Sequence, residues 1–466
     1  MALKDRPRLL IISPAWRQGW WGGGKVLAPP LSLPLLAGLT PQDVDVQLID
    51  ENVECIDPET AADWVAITAP TASAPRAYEI SAGFRARGIP VVMGGIHPTV
   101  LPDEASQHAD AVVVGEAETV WPEVIADLAG GRLKPRYQAE EFHNLVGLPR
   151  PRRELLRVDR YLTINVVQTA RGCPHSCSFC TVSSIFGGRY RFRPVPEVVE
   201  EVRGLGGWLG LVDDNIVGNH RRAKELFEAL IPLKRSWVSQ GDLSMARDPE
   251  LLALASRSGC RAMFIGLESV SDENLRATKK SANLNCDMGE AIRTIHAAGI
   301  EIVGSFVLGL DGDDLSVFAR TADFARRHKL MAAQFSVLTP FPGTGIHKQL
   351  EAEERIEDRD WSHYTINNVV FRPRQMSALQ LEQGQEETYR RFYSLPSILY
   401  RAATLRRSPA LRLLVNLSYR RRRAGKALCK GLPSHIPVPT PTPPTPVRIG
   451  GARGSGQRLS LPAEDR

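Results

Sequence analysis

Three of the chain's seven cysteines lie close together in Arg171-Gly172-Cys173-Pro174-His175-Ser176-Cys177-Ser178-Phe179-Cys180, spaced C-x3-C-x2-C. Cysteine sulfur is the soft ligand that iron–sulfur centres prefer, and three thiolates on one short loop can hold three corners of a cubic 4Fe-4S cluster. The fourth iron is then open to a substrate. Zinc is the other chemistry such a loop suggests, but closed zinc sites take four protein ligands. No fourth Cys or His follows at that spacing, and His175 sits inside the loop. A disulfide fits poorly with three close cysteines and no secretory signal. Cys55, Cys260, Cys286 and Cys429 are solitary, so no second cluster is expected.

The elements around the motif alternate. Across 162–345, strands are expected at 163–167, 209–212, 237–240, 262–266, 302–308 and 334–338, with helical stretches between them. The motif follows the first strand directly. Function in such repeating strand–helix folds gathers at the C-terminal ends of the strands, where Asp213 and Asp214, Gln240, and Glu268 stand. Asp313 and Asp314, after the fifth strand, are expected to serve their helix N-terminus. Residues 8–130 repeat the alternation, with apolar runs at 8–13, 44–50, 64–69, 90–94 and 111–115, which implies a parallel, doubly wound sheet. Ligands on such sheets lie beyond the strands' carboxyl ends. Thr68, Gly94-Gly95 and Gly115-Glu116 occupy those ends, and glycines let backbone approach a large ligand because they lack Cβ.

The chain has 466 residues, 43% hydrophobic and 24% charged, ordinary values for a globular protein of two or three domains. The expected division is 1–135, a connector at 136–161, 162–345, a mostly helical region at 346–430, and a Pro/Gly-rich tail at 431–466 expected to be disordered. The net charge of +6 is unevenly spread: ten basic and no acidic residues in 397–430, and four against two in 431–466, leave 1–396 at −6. An acidic body argues against nucleic acid as a partner. The basic segment, mixing Leu, Tyr and Arg, suits either peripheral contact with an anionic membrane or docking on the acidic body. Without a signal-peptide core or a spanning apolar run, a cytoplasmic location is expected, with peripheral attachment at the inner face of the membrane as the variant.

The cysteine motif, with an aromatic residue before its last cysteine, resembles the signature of the radical S-adenosylmethionine (SAM) superfamily. The resemblance implies a partial (β/α)6 barrel of TIM type whose cluster, held by Cys173, Cys177 and Cys180, chelates the amino and carboxylate groups of SAM. An electron from a donor such as flavodoxin or ferredoxin then cleaves SAM to a 5′-deoxyadenosyl radical. It assigns Phe179, Asp213, Asp214, Gln240 and Glu268 to SAM, with Asp213 or Asp214 at its ammonium group.

The first 120 residues resemble the Rossmann-like cobalamin-binding domain of class B radical SAM enzymes, through Pro29-Pro30-Leu-Ser-Leu-Pro34, Ile49-Asp50-Glu51-Asn52, the turn at 94–97 and Val114-Gly115-Glu116-Ala117-Glu118. That likeness assigns Thr68, Gly94, Gly95, Gly115 and Glu116 to cobalamin. The Asp-x-His-x-x-Gly motif that supplies a lower cobalt ligand elsewhere is missing, and His97 is not expected to replace it. The implied activity is cobalamin-dependent methyl transfer to an unactivated carbon or phosphorus of a small-molecule or lipid-like substrate. A cyclase or oxidative rearrangement enzyme, or a non-catalytic cobalamin or cluster sensor, are the alternatives.

Overall fold

The computed structural model describes residues 6–15, 26–57, 59–284, 286–403, 412–413 and 415–420. Six parallel strands form the first sheet: β1 (Arg8–Ser13), β2 (Asp45–Asp50), β3 (Trp64–Thr68), β4 (Val91–Gly94), β5 (Ala111–Val114) and β6 (Arg136–Gln138), in the order β2-β1-β3-β4-β5-β6. Helices cover both faces, so β1 is buried almost throughout, with Leu9 and Ile11 in one core and Leu10 and Ile12 in the other. Strand order reverses between β1 and β3, where a doubly wound sheet opens its ligand crevice.

A second sheet runs β7 (Val166–Val167), β10 (Trp208–Leu211), β11 (Ser236–Gly241), β12 (Cys260–Glu268), β13 (Glu301–Leu308) and β14 (Ala332–Val337) in sequence order, all parallel. This is the partial barrel. Between β7 and β10, a short antiparallel pair, β8 (Ala170–Arg171) and β9 (Arg191–Phe192), closes the base of the cysteine loop. The edge strand β14 is not left open. Tyr389 and Tyr393, on and just after the helix Ala378–Phe392, accept hydrogen bonds from the N–H groups of Phe335 and Ala333, both at 3.1 Å. Gln385 donates to the Phe335 carbonyl at 2.8 Å, so the edge is covered by side chains.

The C-terminal region is mostly helical and reaches back to the first sheet. Trp361 Nε1 donates to the Glu104 carboxylate at 2.9 Å, and its ring lies edge-on to His97. In the basic segment, Arg401 is buried, donating to the Leu330 and Phe392 carbonyls and lying over the Phe392 ring at 3.7 Å. Arg412 is ion-paired with Glu301. Arg420 donates to the Tyr393 carbonyl at 3.3 Å, so among the described residues three of the ten basic side chains are held by the body. Arg406, Arg407, Arg421, Arg422, Arg423, Lys426 and Lys430, with the whole tail at 431–466, fall outside the described residues. Among the described residues no helix is long and apolar enough to cross a membrane.

Candidate functional site

The cysteine loop leaves β8 at Gly172, whose φ of +87° is open to glycine and strained for other residues. Its N–H donates to Asp214 at 2.8 Å. Cys177 is buried, Cys173 and Cys180 are half-buried, and Cys180 precedes the helix Thr181–Phe186. The barrel pins the loop from outside: Ser178 N–H donates to the Thr278 carbonyl at 3.1 Å, and Ile346 N–H to the Ser178 carbonyl at 2.9 Å. His175 Nε2 lies 2.9 Å from Asp242, and Asn215 Nδ2 reaches both Asp242 at 2.7 Å and the Cys173 sulfur at 3.8 Å. Burial pushes the Asp242 carboxyl up, but hydrogen bonds from His175, Ser244 and Asn215 outweigh it and hold the group well below the usual carboxylate range.

The thiols fit a cubane. Burial pushes Cys177 up to about 11, with Lys280 pulling the other way, and a metal that bound there would displace the proton. Among the described residues no three His, Cys, Asp or Glu side chains surround a common point as a single ion requires. Three cubane thiolates bind three different irons and need no such point. An N–H directed at a cysteine sulfur, as from Asn215, is an outer contact of the kind that tunes these clusters.

The acids expected at SAM separate. Asp213 is fully buried and accepts from the N–H groups of Thr169 and Ala170, at 2.5 and 3.1 Å, and from the Thr169 hydroxyl. Burial pushes its carboxyl up to about 6 against those hydrogen bonds. Its oxygens are committed to the backbone entering the loop, so it stands as an anchor and not at the SAM ammonium. Asp214 lines open space. Gln240 is exposed at the end of β11. Glu268 ends β12 at φ +61° and pairs with the largely buried Lys280 at 2.9 Å. Phe179 packs against the barrel core. Sequence reasoning missed Lys280, the His175–Asp242 contact and the reach of Asn215, because the partners stand 12 to 67 residues apart on different elements.

Thr68, Gly94, Gly95, Gly115 and Glu116 line one cavity of about 400 Å³. Leu35 and Leu39 from the helix Ser32–Leu39 supply apolar wall, while Arg171, Asp214 and Ile185 close it from the cysteine-loop side. The lining fits a large flat ligand such as cobalamin: a Cβ on Gly115 would meet nothing within 4 Å, so the backbone there faces empty space. Gly95, at φ +99°, differs, since its Cβ would lie 2.9 Å from both the Ala69 nitrogen and the Thr68 hydroxyl. Gly95→Ala is therefore expected to lower stability by about 2–3 kcal/mol and weaken cobalamin retention. Gly115→Ala, strained only in φ, should lose about 1 kcal/mol. Thermal unfolding with and without cobalamin separates the two, and equal losses would contradict the assignment.

Glu116 touches the cavity, but its carboxylate is occupied by Arg171 and Arg191. Both of its oxygens accept from guanidinium groups, so the side chain also ties the cavity wall to the cysteine loop. His97 is absent from the cavity wall. It is fully buried with Nε2 2.9 Å from the Tyr78 hydroxyl.

The family model described as the radical SAM superfamily matches residues 167–325, and that of the B12 binding domain matches 25–125. The bacteriochlorophyllide d C-12(1)-methyltransferase of Chlorobaculum tepidum is 30% identical over 411 residues, covering 85% of this chain and 90% of the relative. The hopanoid C-2 methylase of Rhodopseudomonas palustris is 26% identical over 349 residues, 71% of this chain and 66% of the relative. In fold, the chain is similar to the radical SAM methyltransferase TsrM of Kitasatospora setae with cobalamin and its 4Fe-4S cluster bound, at a TM-score of 0.62 and 17% identity over 89% of this chain and 91% of TsrM. With a cysteine loop suited to a cubane and a glycine-walled cavity on one space, the chain belongs to the cobalamin-dependent radical SAM enzymes, in their methyltransferase branch, with a 4Fe-4S cluster, SAM and cobalamin as cofactors.

Proposed function

We propose that the protein methylates an unactivated carbon of a large apolar ring system, a tetrapyrrole of the bacteriochlorophyllide type, with Cys173, Cys177 and Cys180 holding the cluster and the cavity above β3–β5 holding cobalamin. The observation that carries this reading is the shared wall: Gly94, Gly95 and Gly115 face the same cavity as Arg171, Asp214 and the helix that follows Cys180. The bound cofactors supply hydrogen abstraction from the substrate and a transferable methyl group. The chain's own residues position that chemistry. Asp213 fixes the backbone entering the loop, Asp242 and Asn215 hold its outer side, and the leucines of Ser32–Leu39 keep water from the cavity's apolar end. The C. tepidum relative supports the ring system as substrate, and the hopanoid methylase supports a terpenoid as the second candidate.

Anaerobic incubation of the loaded enzyme with SAM, a chemical reductant and bacteriochlorophyllide should give 5′-deoxyadenosine and a product heavier by one CH2 unit. A product that has lost hydrogen or gained oxygen would establish the cyclase or oxidative reading. Turnover of a hopanoid in place of the chlorin would reassign the substrate. A small flavodoxin- or ferredoxin-type protein is the proposed physiological donor, because each SAM cleavage consumes one electron.

Peripheral attachment to anionic membrane is proposed for the basic segment. The helix Leu395–Ala402 turns Ile398 and Arg401 inward and leaves Leu395, Leu399 and Tyr400 exposed. Arg326 and Lys329 lie over the Tyr400 ring. Near an anionic surface each unpaired Lys or Arg adds about 1 kcal/mol of attraction. The protein is expected to sediment with anionic vesicles at low salt and to be released by high salt. Leu395→Ser combined with Leu399→Ser should weaken the association. A wild-type protein that stays in the supernatant with such vesicles would end the proposal.

A further inference from the structure

Glu116 stands where the first sheet, the connector and the cysteine loop meet. Its Oε1 accepts from Arg171 Nη1 at 2.8 Å and Arg191 Nη2 at 2.8 Å. Its Oε2 accepts from Arg191 Nη1 at 2.7 Å and from the His143 N–H at 2.9 Å. The second arm of Arg171 donates to Glu118 at 2.5 Å. The side chains of Glu116, Glu118 and Arg171 are 7%, 6% and 8% exposed. Arg191 also donates to the His143 carbonyl at 2.6 Å and lies over the rings of Phe142 and Phe186.

A buried lattice of two carboxylates and two guanidiniums is a poor source of stability, because desolvating the charges offsets their attraction. Its strength is geometric, since paired N–H donors meet a carboxylate in few orientations. Arg171 and Arg191 belong to β8 and β9, the two sides of the hairpin base from which the cysteine loop springs. Phe186 ends the helix begun after Cys180. One carboxylate therefore grips both ends of the loop, while Gly115 and Glu116 form part of the cavity wall.

We infer that Glu116 is a positioning residue: acting through Arg171 and Arg191, it sets the distance and orientation of the cluster loop relative to the cobalamin cavity. The inference rests on the assignment of cluster and cobalamin proposed above.

The test uses the full-length, reconstituted protein with cobalamin in its cob(II)alamin state and the cluster reduced, and measures their dipolar coupling by pulsed electron paramagnetic resonance. The wild type should give one narrow distance distribution. Glu116→Gln, which keeps shape and removes charge, should broaden or shift it at unchanged iron and cobalamin content. Arg191→Lys, which keeps charge and loses the two-pronged contact, should broaden it less. Glu123→Gln, which breaks an exposed ion pair with Lys134, should leave it unchanged. An unaltered distribution in Glu116→Gln overturns the inference.

If Glu116→Gln fails to load, hydrogen exchange on the cofactor-free chain decides. Faster exchange confined to residues 170–192 supports positioning, whereas uniform acceleration through both sheets shows general stabilisation and overturns it. A wild type that binds neither iron nor cobalamin would instead remove the underlying assignment.

Discussion

Cys173→Ala, Cys177→Ala and Cys180→Ala are each expected to purify without a 4Fe-4S cluster and to produce no 5′-deoxyadenosine. A cubane held by two thiolates has two irons open to solvent and is readily lost. The three sulfurs are also not interchangeable with a neighbour, because Cys260 begins β12 within the hydrophobic core and Cys55 is exposed in the loop after β2. Iron and sulfide analysis, with the visible absorption of the reconstituted protein, checks this directly. Cys55→Ala, Cys260→Ala and Cys286→Ala should retain full iron. Cys260→Ala should lower the unfolding temperature through lost packing, the thiol being wholly buried. A complete cluster in any of the first three variants, or missing iron in any of the second, would contradict the ligand assignment.

Gly172→Ala is expected to be nearly as damaging without touching a ligand. A Cβ at Gly172 would sit 1.9 Å from the Arg189 carbonyl oxygen, an atom of the returning backbone that has no rotamer to escape into. The φ of +87° adds strain for any side chain. Together these should destabilise the hairpin base by about 3 kcal/mol or more, a large part of the roughly 5–15 kcal/mol that holds a typical domain folded. Gly187→Ala and Gly188→Ala provide the contrast. Both glycines have positive φ, but their Cβ positions are empty, and each change should lose about 1 kcal/mol. Thermal unfolding and iron content together rank the three. A Gly172→Ala protein as stable and as well loaded as Gly187→Ala would show that β8 and β9 separate freely.

The features legible in the sequence were those whose information is local. C-x3-C-x2-C carries its chemistry within one loop, and strands of four to nine apolar residues announce themselves by burial on both faces. β6 has three residues and β7, β8 and β9 have two each, too few for any periodicity to register. For that reason the expected first barrel strand at 163–167 shrank, and the expected connector contributed a sixth strand to the first sheet. The carboxylates are a different case. Asp213, Asp214 and Glu116 were correctly seen at strand ends, but a carboxylate's role depends on what faces it. Asp213 meets Thr169 and Ala170, and Glu116 meets Arg191, 75 residues away. Likewise Arg401 reads as one more solvated charge until the fold brings the Leu330 and Phe392 carbonyls to it.

The hydrogen bond from Trp361 to Glu104, reinforced by the ring contact with His97, has a consequence for how such a chain changes over generations. A sheet with its own two cores would ordinarily be an exchangeable cassette, free to be recombined with a foreign barrel. Here a donor 257 residues further along the chain reaches a carboxylate on the helix Pro102–Ala105, between β4 and β5, and the cavity takes part of its wall from the neighbouring barrel. A transplanted first sheet would leave Glu104 facing a stranger's side chain and its cavity half-walled. Recombination between relatives should therefore succeed when Glu104 and Trp361 travel together and fail when the exchange parts them.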